Sequence, residues 1–297
     1  MKRQIKVMGI LAVCLLAVDL NACSFRGHLV QSAGDTEPVT ESQGRQQISP
    51  ELISSEESTE QETASEGVLE QVNEVRKMDS EYQIEGFEII RQMPELPTGC
   101  EITALTMVLN FYGLEADKVE MAMEYLPSVP AELYEGDDGR LYGPDLNQYF
   151  IGDPRNEGYV CGTGAIAAAA NEYLETHDSL LRAVDKTGAE PEELYGLVNN
   201  DTPVVVWVTI DMEERNTPEG WYTEDGTYVD WSTNDHGAVL IGYTPDTVTI
   251  ADPISGLVEY EKEIFEEVFL SRGNQCVILE EEQPTSSDLE NSEEDLD

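Results

Sequence analysis

The apolar residues change period partway along the chain, and that change limits the folds open to it. Over residues 100–112, Ile102, Leu105, Val108, Leu109 and Tyr112 fall on one helical stripe, and Gly113 follows as a stop. Residues 116–126, 164–174 and 191–199 predict three more helices, the last with a proline in its first turn. After that the pattern becomes extended. Residues 203–210 are a nearly continuous β-branched run, as in a strand buried on both faces. Residues 236–243 and 247–251, separated by Thr244-Pro245-Asp246, read as a hairpin, with a last helix over 262–270 and a last strand over 275–279. Helices first and antiparallel strands afterwards predict a two-layer α+β domain.

The flanks of this segment cannot fold in the same way. Lys2, Arg3 and Lys6 precede an apolar run, residues 7–18, that is too short to span a bilayer, which needs ~20 apolar residues. A positive stub before a short apolar core is an export signal, assigned to residues 1–22. It ends in Leu20-Asn21-Ala22-Cys23, which is similar to the lipobox of bacterial lipoproteins and makes Cys23 the expected lipid-bearing residue, at the outer face of a cell membrane. Secretion without the lipid is the alternative. Residues 23–81 are rich in Ser, Thr, Gln and Glu and poor in apolar side chains, so burial cannot offset the entropy of ordering them, and a flexible tether is expected. An acidic tail occupies 281–297, which leaves one domain, 82–280.

Charge excludes some partners. The chain carries a formal net charge of -45, and residues 82–279 alone account for -29 of it. A phosphate backbone is repelled by such a surface, so nucleic acid is excluded, and so is attachment to an anionic bilayer through a basic face. The membrane is expected to be reached through the N-terminal lipid only. A monomer acting on a peptide or protein substrate, with long-range attraction for cationic ones, is compatible with this charge.

Few side chains remain for chemistry. The three histidines are His28, His177 and His236, and there is no Cys-x-x-Cys pair, so a structural zinc site lacks ligands and no cofactor is expected. No Gly-x-Ser-x-Gly elbow occurs. A thiol and an imidazole are left. Thr98 and Glu101 have capping-box spacing, which predicts Thr98 as N-cap and Cys100 in the first helical turn. There the helix dipole favours thiolate, while Glu101 opposes it unless its side chain points back to the cap. The alternative for Cys100 is a small buried hydrophobe. His236 opens one strand of the hairpin and Asp252 ends the next. A turn at Pro245-Asp246 sets Val239 opposite Asp252 and leaves His236 three residues off register. The two side chains then meet only if a bulge or the sheet twist shifts the ladder. Cys161 and Cys276 either pair or stay as buried free thiols. Trp207 is expected in the core, and Trp221 and Trp231 at the rim of a cleft.

Several segments together carry a resemblance. Gln92-Met93-Pro94-Glu95-Leu96-Pro97-Thr98-Gly99-Cys100-Glu101 with Ala104-Leu105-Thr106-Met107-Val108-Leu109-Asn110-Phe111-Tyr112-Gly113 resembles the start of the C39-like cysteine peptidase domain. Residues 147–154 and 203–207, His236-Gly237-Ala238-Val239-Leu240-Ile241-Gly242-Tyr243 and Asp252-Pro253 are similar to later segments of that family, in the same order. The resemblance implies a papain-like fold, a helical layer that starts with the nucleophile and packs on an antiparallel β-sheet carrying the base. It implies Cys100 as nucleophile, His236 as general base and then acid, Asp252 as the acid that orients it, and Gln92 as a side-chain donor to an oxyanion hole beside the Cys100 N–H. The reaction implied is peptide hydrolysis through an acyl-enzyme. Two alternatives stay open: cleavage or transfer of cell-wall amide bonds by the same thiol, and a binding lipoprotein that keeps the fold without catalysis.

Overall fold

A computed structural model of the chain describes residues 78–217 and 219–282. The expected signal segment, Cys23, most of the tether and nearly all of the acidic tail lie outside the described residues. The domain is α+β, as the change of period predicts. An antiparallel sheet of seven strands is built from β1 (Tyr82–Gln83), β2 (Leu181–Asp185), β3 (Val204–Thr209), β4 (Asp235–Tyr243), β5 (Thr247–Asp252), β6 (Gly256–Glu261) and β7 (Cys276–Glu281). The order is β6-β5-β4-β3-β7-β2, with β1 paired to the end of β4. The longer helices are α1 (Cys100–Phe111), α2 (Thr163–Thr176), α3 (Pro191–Val198) and α4 (Lys262–Ser271). Among the described residues no helix is long and apolar enough to cross a membrane.

The centre of the sheet follows from side-chain type. All six residues of β3 and all nine of β4 are buried, and their Val, Ile and Leu side chains meet α1 on one side and α3 and α4 on the other. Trp207 is fully buried, and its Nε1–H donates to the Cys161 carbonyl at 2.7 Å, which satisfies the one polar group of that side chain. In α1, Cys100 to Leu109 are all buried, which is wider than a single stripe. The two threonines inside it are tolerated because each hydroxyl donates to a carbonyl one turn back, Thr103 to Gly99 and Thr106 to Ile102, both at 2.7 Å.

The helix expected over 116–126 is shorter and irregular. Asp117 caps it, its Oδ1 accepting from Val119 N–H and Glu120 N–H, and after one α-helical turn the chain widens into a π turn over Met121–Tyr125. The wider turn is closed by Leu126 N–H donating to Met121 O, and Met121, Ala122 and Leu126 reach the core. Four short strands, Tyr134–Glu135, Leu141–Tyr142, Glu219–Tyr222 and Tyr228–Trp231, form a second small sheet over its own core of Leu146, Ile151, Val160, Trp221 and Val229. Trp221 is therefore a core residue and not a rim residue, with its Nε1–H on the Pro144 carbonyl at 2.7 Å. Trp231 is half-buried against Tyr159.

Candidate active site

The N-terminus of α1 abuts the start of β4, and the closeness of that contact depends on a glycine. A Cβ added to Gly237 would lie 2.8 Å from Glu101 Cα and 2.7 Å from Glu101 Cγ. No side chain fits there without moving the helix off the strand. Gly237→Ala is therefore expected to destabilise the domain by about 1–3 kcal/mol through overpacking, read as a lower midpoint in thermal or denaturant unfolding. This packing sets Cys100, on the helix, beside the residue that follows His236, on the strand.

The condition stated for His236 and Asp252 is met by a bulge in the hairpin. Near the turn the ladder pairs Tyr243 with Val248 and Gly242 with Thr249, but beyond the irregularity at Leu240/Gly242 it pairs Leu240 with Ile250 and Val239 with Ala251. A one-residue slip moves a strand's side chains to the other face. Ala238 thus comes opposite Asp252, and His236, two residues further, lies on the same face, within diagonal reach. Its Nε2 stands 3.0 Å from Asp252 Oδ2, and both side chains are buried. The pairing nitrogen is thus Nε2. Burial works to raise the Asp252 pKa, but the hydrogen bond and charge of His236 and the N–H groups of Ser255 and Ile254 overcome it and hold the carboxyl below its ordinary value. An ionised Asp252 requires Nε2 to carry the proton, which leaves the Nδ1 lone pair available as a base.

Behind His236, a buried ion cluster pins the start of β4. Asp235 accepts from Arg215 Nε at 2.8 Å and Nη2 at 2.9 Å, from the Ser232 N–H at 2.8 Å, and lies 3.2 Å from Arg272 Nη1. A carboxylate so fully satisfied has one rotamer, which fixes the strand on which the imidazole is mounted.

Gln92 is buried. Its N–H donates to the Pro253 carbonyl at 2.9 Å, next to Asp252, and its Nε2 donates to the Pro97 carbonyl at 3.0 Å, on the approach to Cys100. Oε1 has no hydrogen-bond partner among the described residues.

At Cys100 the structure corrects two expectations. Gly99 is the N-cap and makes no side-chain capping bond, while the Thr98 hydroxyl turns away to the carbonyls of Asp153 and Pro154. Glu101 does not reach back to the cap. It is buried, with Oε2 3.1 Å from Cys100 Sγ and Oε1 accepting the Cys161 N–H at 3.0 Å. The thiol is therefore not poised as thiolate. Burial first, then the charge of Glu101, raise its pKa well above the ordinary thiol range, and the Gly237 N–H offsets this only in part. Among the described residues no hydrogen bond joins Sγ to the imidazole. Sequence reasoning registered that Glu101 opposes ionisation but placed its side chain wrongly, and it missed the Gly237 contact. Cys161 and Cys276 are free and buried. A cleft of about 260 Å³ opens beside Cys161, lined also by Val160, Gly162, Tyr228, Asp230 and Arg272. Among the described residues no group of three His, Cys, Asp or Glu side chains is arranged to hold a metal ion.

An α+β fold whose central helix begins with a cysteine and whose sheet carries a buried His–Asp pair defines a papain-like cysteine peptidase architecture. Residues 84–277 match the profile of the Peptidase_C39 like family, and this chain belongs to that family. It is similar to the uncharacterized protein YvpB of Bacillus subtilis (strain 168), with 27% identity over 188 residues, covering 63% of this chain and 71% of that protein. It is also similar to the crystal structure of a protein from Bacillus anthracis described as a C39-like peptidase, with 30% identity, a TM-score of 0.60, and coverage of 69% of this chain and 100% of that one.

Proposed function

We propose that this protein is an exported cysteine peptidase that hydrolyses peptide bonds through Cys100, His236 and Asp252. The observation that carries the reading is the buried His236–Asp252 pair, 3.0 Å apart, whose His236 stands on β4 one residue before Gly237, the residue packed against the helical turn bearing Cys100. Membership of a peptidase family supports it. Export, and a lipid on Cys23, are part of the proposal and rest on the pattern of residues 1–23.

The chemistry follows from which atoms hold protons. His236 Nδ1 takes the proton of Cys100 S–H as sulfur attacks the substrate carbonyl, forming a carbon–sulfur bond and an oxyanion. The imidazolium, stabilised by Asp252 through Nε2–H, passes the proton from Nδ1 to the leaving amine. Nδ1 then removes a proton from water, which attacks the thioester and releases the acid and the thiol. The oxyanion is held by the Cys100 N–H at the start of α1 and by the Nε2 of Gln92, which has a second N–H beyond the one given to Pro97. Gln92→Ala is expected to lower kcat by about 10²–10³-fold with the fold retained, as read by peptide hydrolysis beside the unfolding midpoint. The direct test of the proposal is release of new amino groups from a denatured protein by the full chain, with the Cys100→Ser variant as control.

A second reading, a binding protein on the same fold, draws on the buried, protonated thiol. It requires that denatured proteins and peptides remain uncut by the wild-type chain.

A further inference from the structure

Glu101 Oε2 lies within hydrogen-bond distance of the Cys100 sulfur, and the mechanism gives it no task. It is fully buried on the first turn of α1, and it is satisfied on both oxygens: Oε2 lies 3.1 Å from Cys100 Sγ and Oε1 accepts the Cys161 N–H at 3.0 Å. A purely structural anchor for the loop before α2 would need only the second contact. An amide would also serve that purpose without the cost of burying a carboxyl group.

We propose that Glu101 is a positioning residue of the reaction, which accepts the hydrogen bond of the resting Cys100 S–H and keeps the sulfur turned away from His236 until a substrate displaces it. The inference rests on the reading of Cys100 as nucleophile. Its physical content is a competition for one proton donor. The S–H is given to Glu101 Oε2 or, on the reading of His236 as the base, to its Nδ1, but not to both. In the resting arrangement the carboxylate wins, and its charge also opposes ionisation of the sulfur. Entry of a substrate carbonyl over the helix start would shift the balance by turning the sulfur toward the imidazole. A thiol held neutral is also a poor target for oxidants, since thiolate is the reactive form.

The groups that face Glu101 come from three directions. Cys100 shares its turn, the Cys161 backbone and thiol approach from the loop before α2, and from the sheet side Gly237 on β4 lies against it, with the His236 ring and Arg272, after α4, acting through charge. Burial raises the Glu101 pKa, and the Cys100 thiol, the Cys161 N–H and the His236 ring offset that rise. Removing the carboxylate therefore relieves a charge felt by both the Cys100 and the Cys161 thiols, and takes from Cys100 its hydrogen-bond acceptor as well.

The experiment is the rate of iodoacetamide alkylation at Cys100, followed by peptide mass spectrometry between pH 5 and 10, in the full chain and its Glu101→Gln and Glu101→Asp variants. Gln keeps an acceptor for the Cys161 N–H and places a donor by the sulfur. Alkylation of Glu101→Gln at pH 7 is expected to be about tenfold faster or more, with the profile displaced by at least about one unit toward acid, since one unit is tenfold in thiolate. Glu101→Asp, whose shorter arm keeps the charge, is expected to retain the high-pH profile. Identical profiles in wild type and Glu101→Gln, with unfolding midpoints showing both folded, would overturn the proposal. So would a Glu101→Asp profile that follows Glu101→Gln. Failure of the peptidase reading is separable, because it appears as absent or Cys100-independent peptide turnover whatever the alkylation profiles show.

Discussion

Replacing Cys100 by Ser is expected to lower peptide hydrolysis by about 10⁴-fold or more, because removing a nucleophile that acts as one unit with its base costs nearly all the covalent catalysis. The change is close to isosteric, and Ser can still donate to Glu101 Oε2 as the thiol does at 3.1 Å. The fold should therefore survive, and the unfolding midpoint should move little, by about 1 kcal/mol or less in stability. Loss of turnover without loss of stability separates a chemical role from the buried-hydrophobe alternative. Initial rates of amino-group release together with chemical denaturation would check both halves.

Asp252→Asn should lower kcat by about 10³–10⁴-fold, and the structure gives a specific reason. Asp252 Oδ1 accepts the Ile254 N–H at 2.6 Å and the Ser255 N–H at 2.9 Å. An asparagine must keep its carbonyl oxygen at that position, since an NH₂ group cannot accept two N–H donors. Its NH₂ then faces His236 Nε2 and donates to it, which forces the ring proton onto Nδ1. The nitrogen meant to deprotonate Cys100 is then blocked. Stability changes with pH in a defined direction too. Asp252 titrates lower in the folded chain than in the unfolded one. Its ionised form therefore contributes stability that is complete above the ordinary Asp range and is lost as pH falls through the folded pKa. Wild type should lose that contribution on acidification, and Asp252→Asn should show a correspondingly flatter acid limb. Kinetics at neutral pH and unfolding midpoints from pH 2 to 7 measure the two effects.

How much of this was legible depended on how far each signal was local. The centre of the sheet could be read because residues 204–209 are β-branched but for Trp207, and α1 because its apolar spacing is helical and Gly113 ends it. The edge strands β2 and β6 escaped notice, since edges carry charges that interrupt the apolar pattern, as Arg182, Asp185, Glu259 and Glu261 do here. The four-stranded small sheet depends on pairing between segments some 80 residues apart, for which no local pattern exists. At the site, Cys100, His236 and Asp252 could be named from the sequence, but their contacts could not. The bulge at Leu240/Gly242 sets which face His236 occupies, and a hairpin counted back from its turn gives the wrong face. The capping-box spacing at Thr98 and Glu101 was misleading for a related reason. Packing of Gly237 on the helix start holds Glu101 inside, beside the thiol and the Cys161 N–H, and those contacts prevail over the local cap.

A covalent acyl-enzyme on Cys100 can be trapped as it forms. The full chain would be mixed with an excess of denatured protein or peptide ester, quenched in acid within milliseconds to seconds, and its thioester located by intact and peptide mass spectrometry. The account predicts an acyl adduct on Cys100 alone that vanishes in Cys100→Ser and fails to form in His236→Ala. Substrate cleavage with no adduct on Cys100, or with the adduct on Cys161 or Cys276 instead, would contradict it.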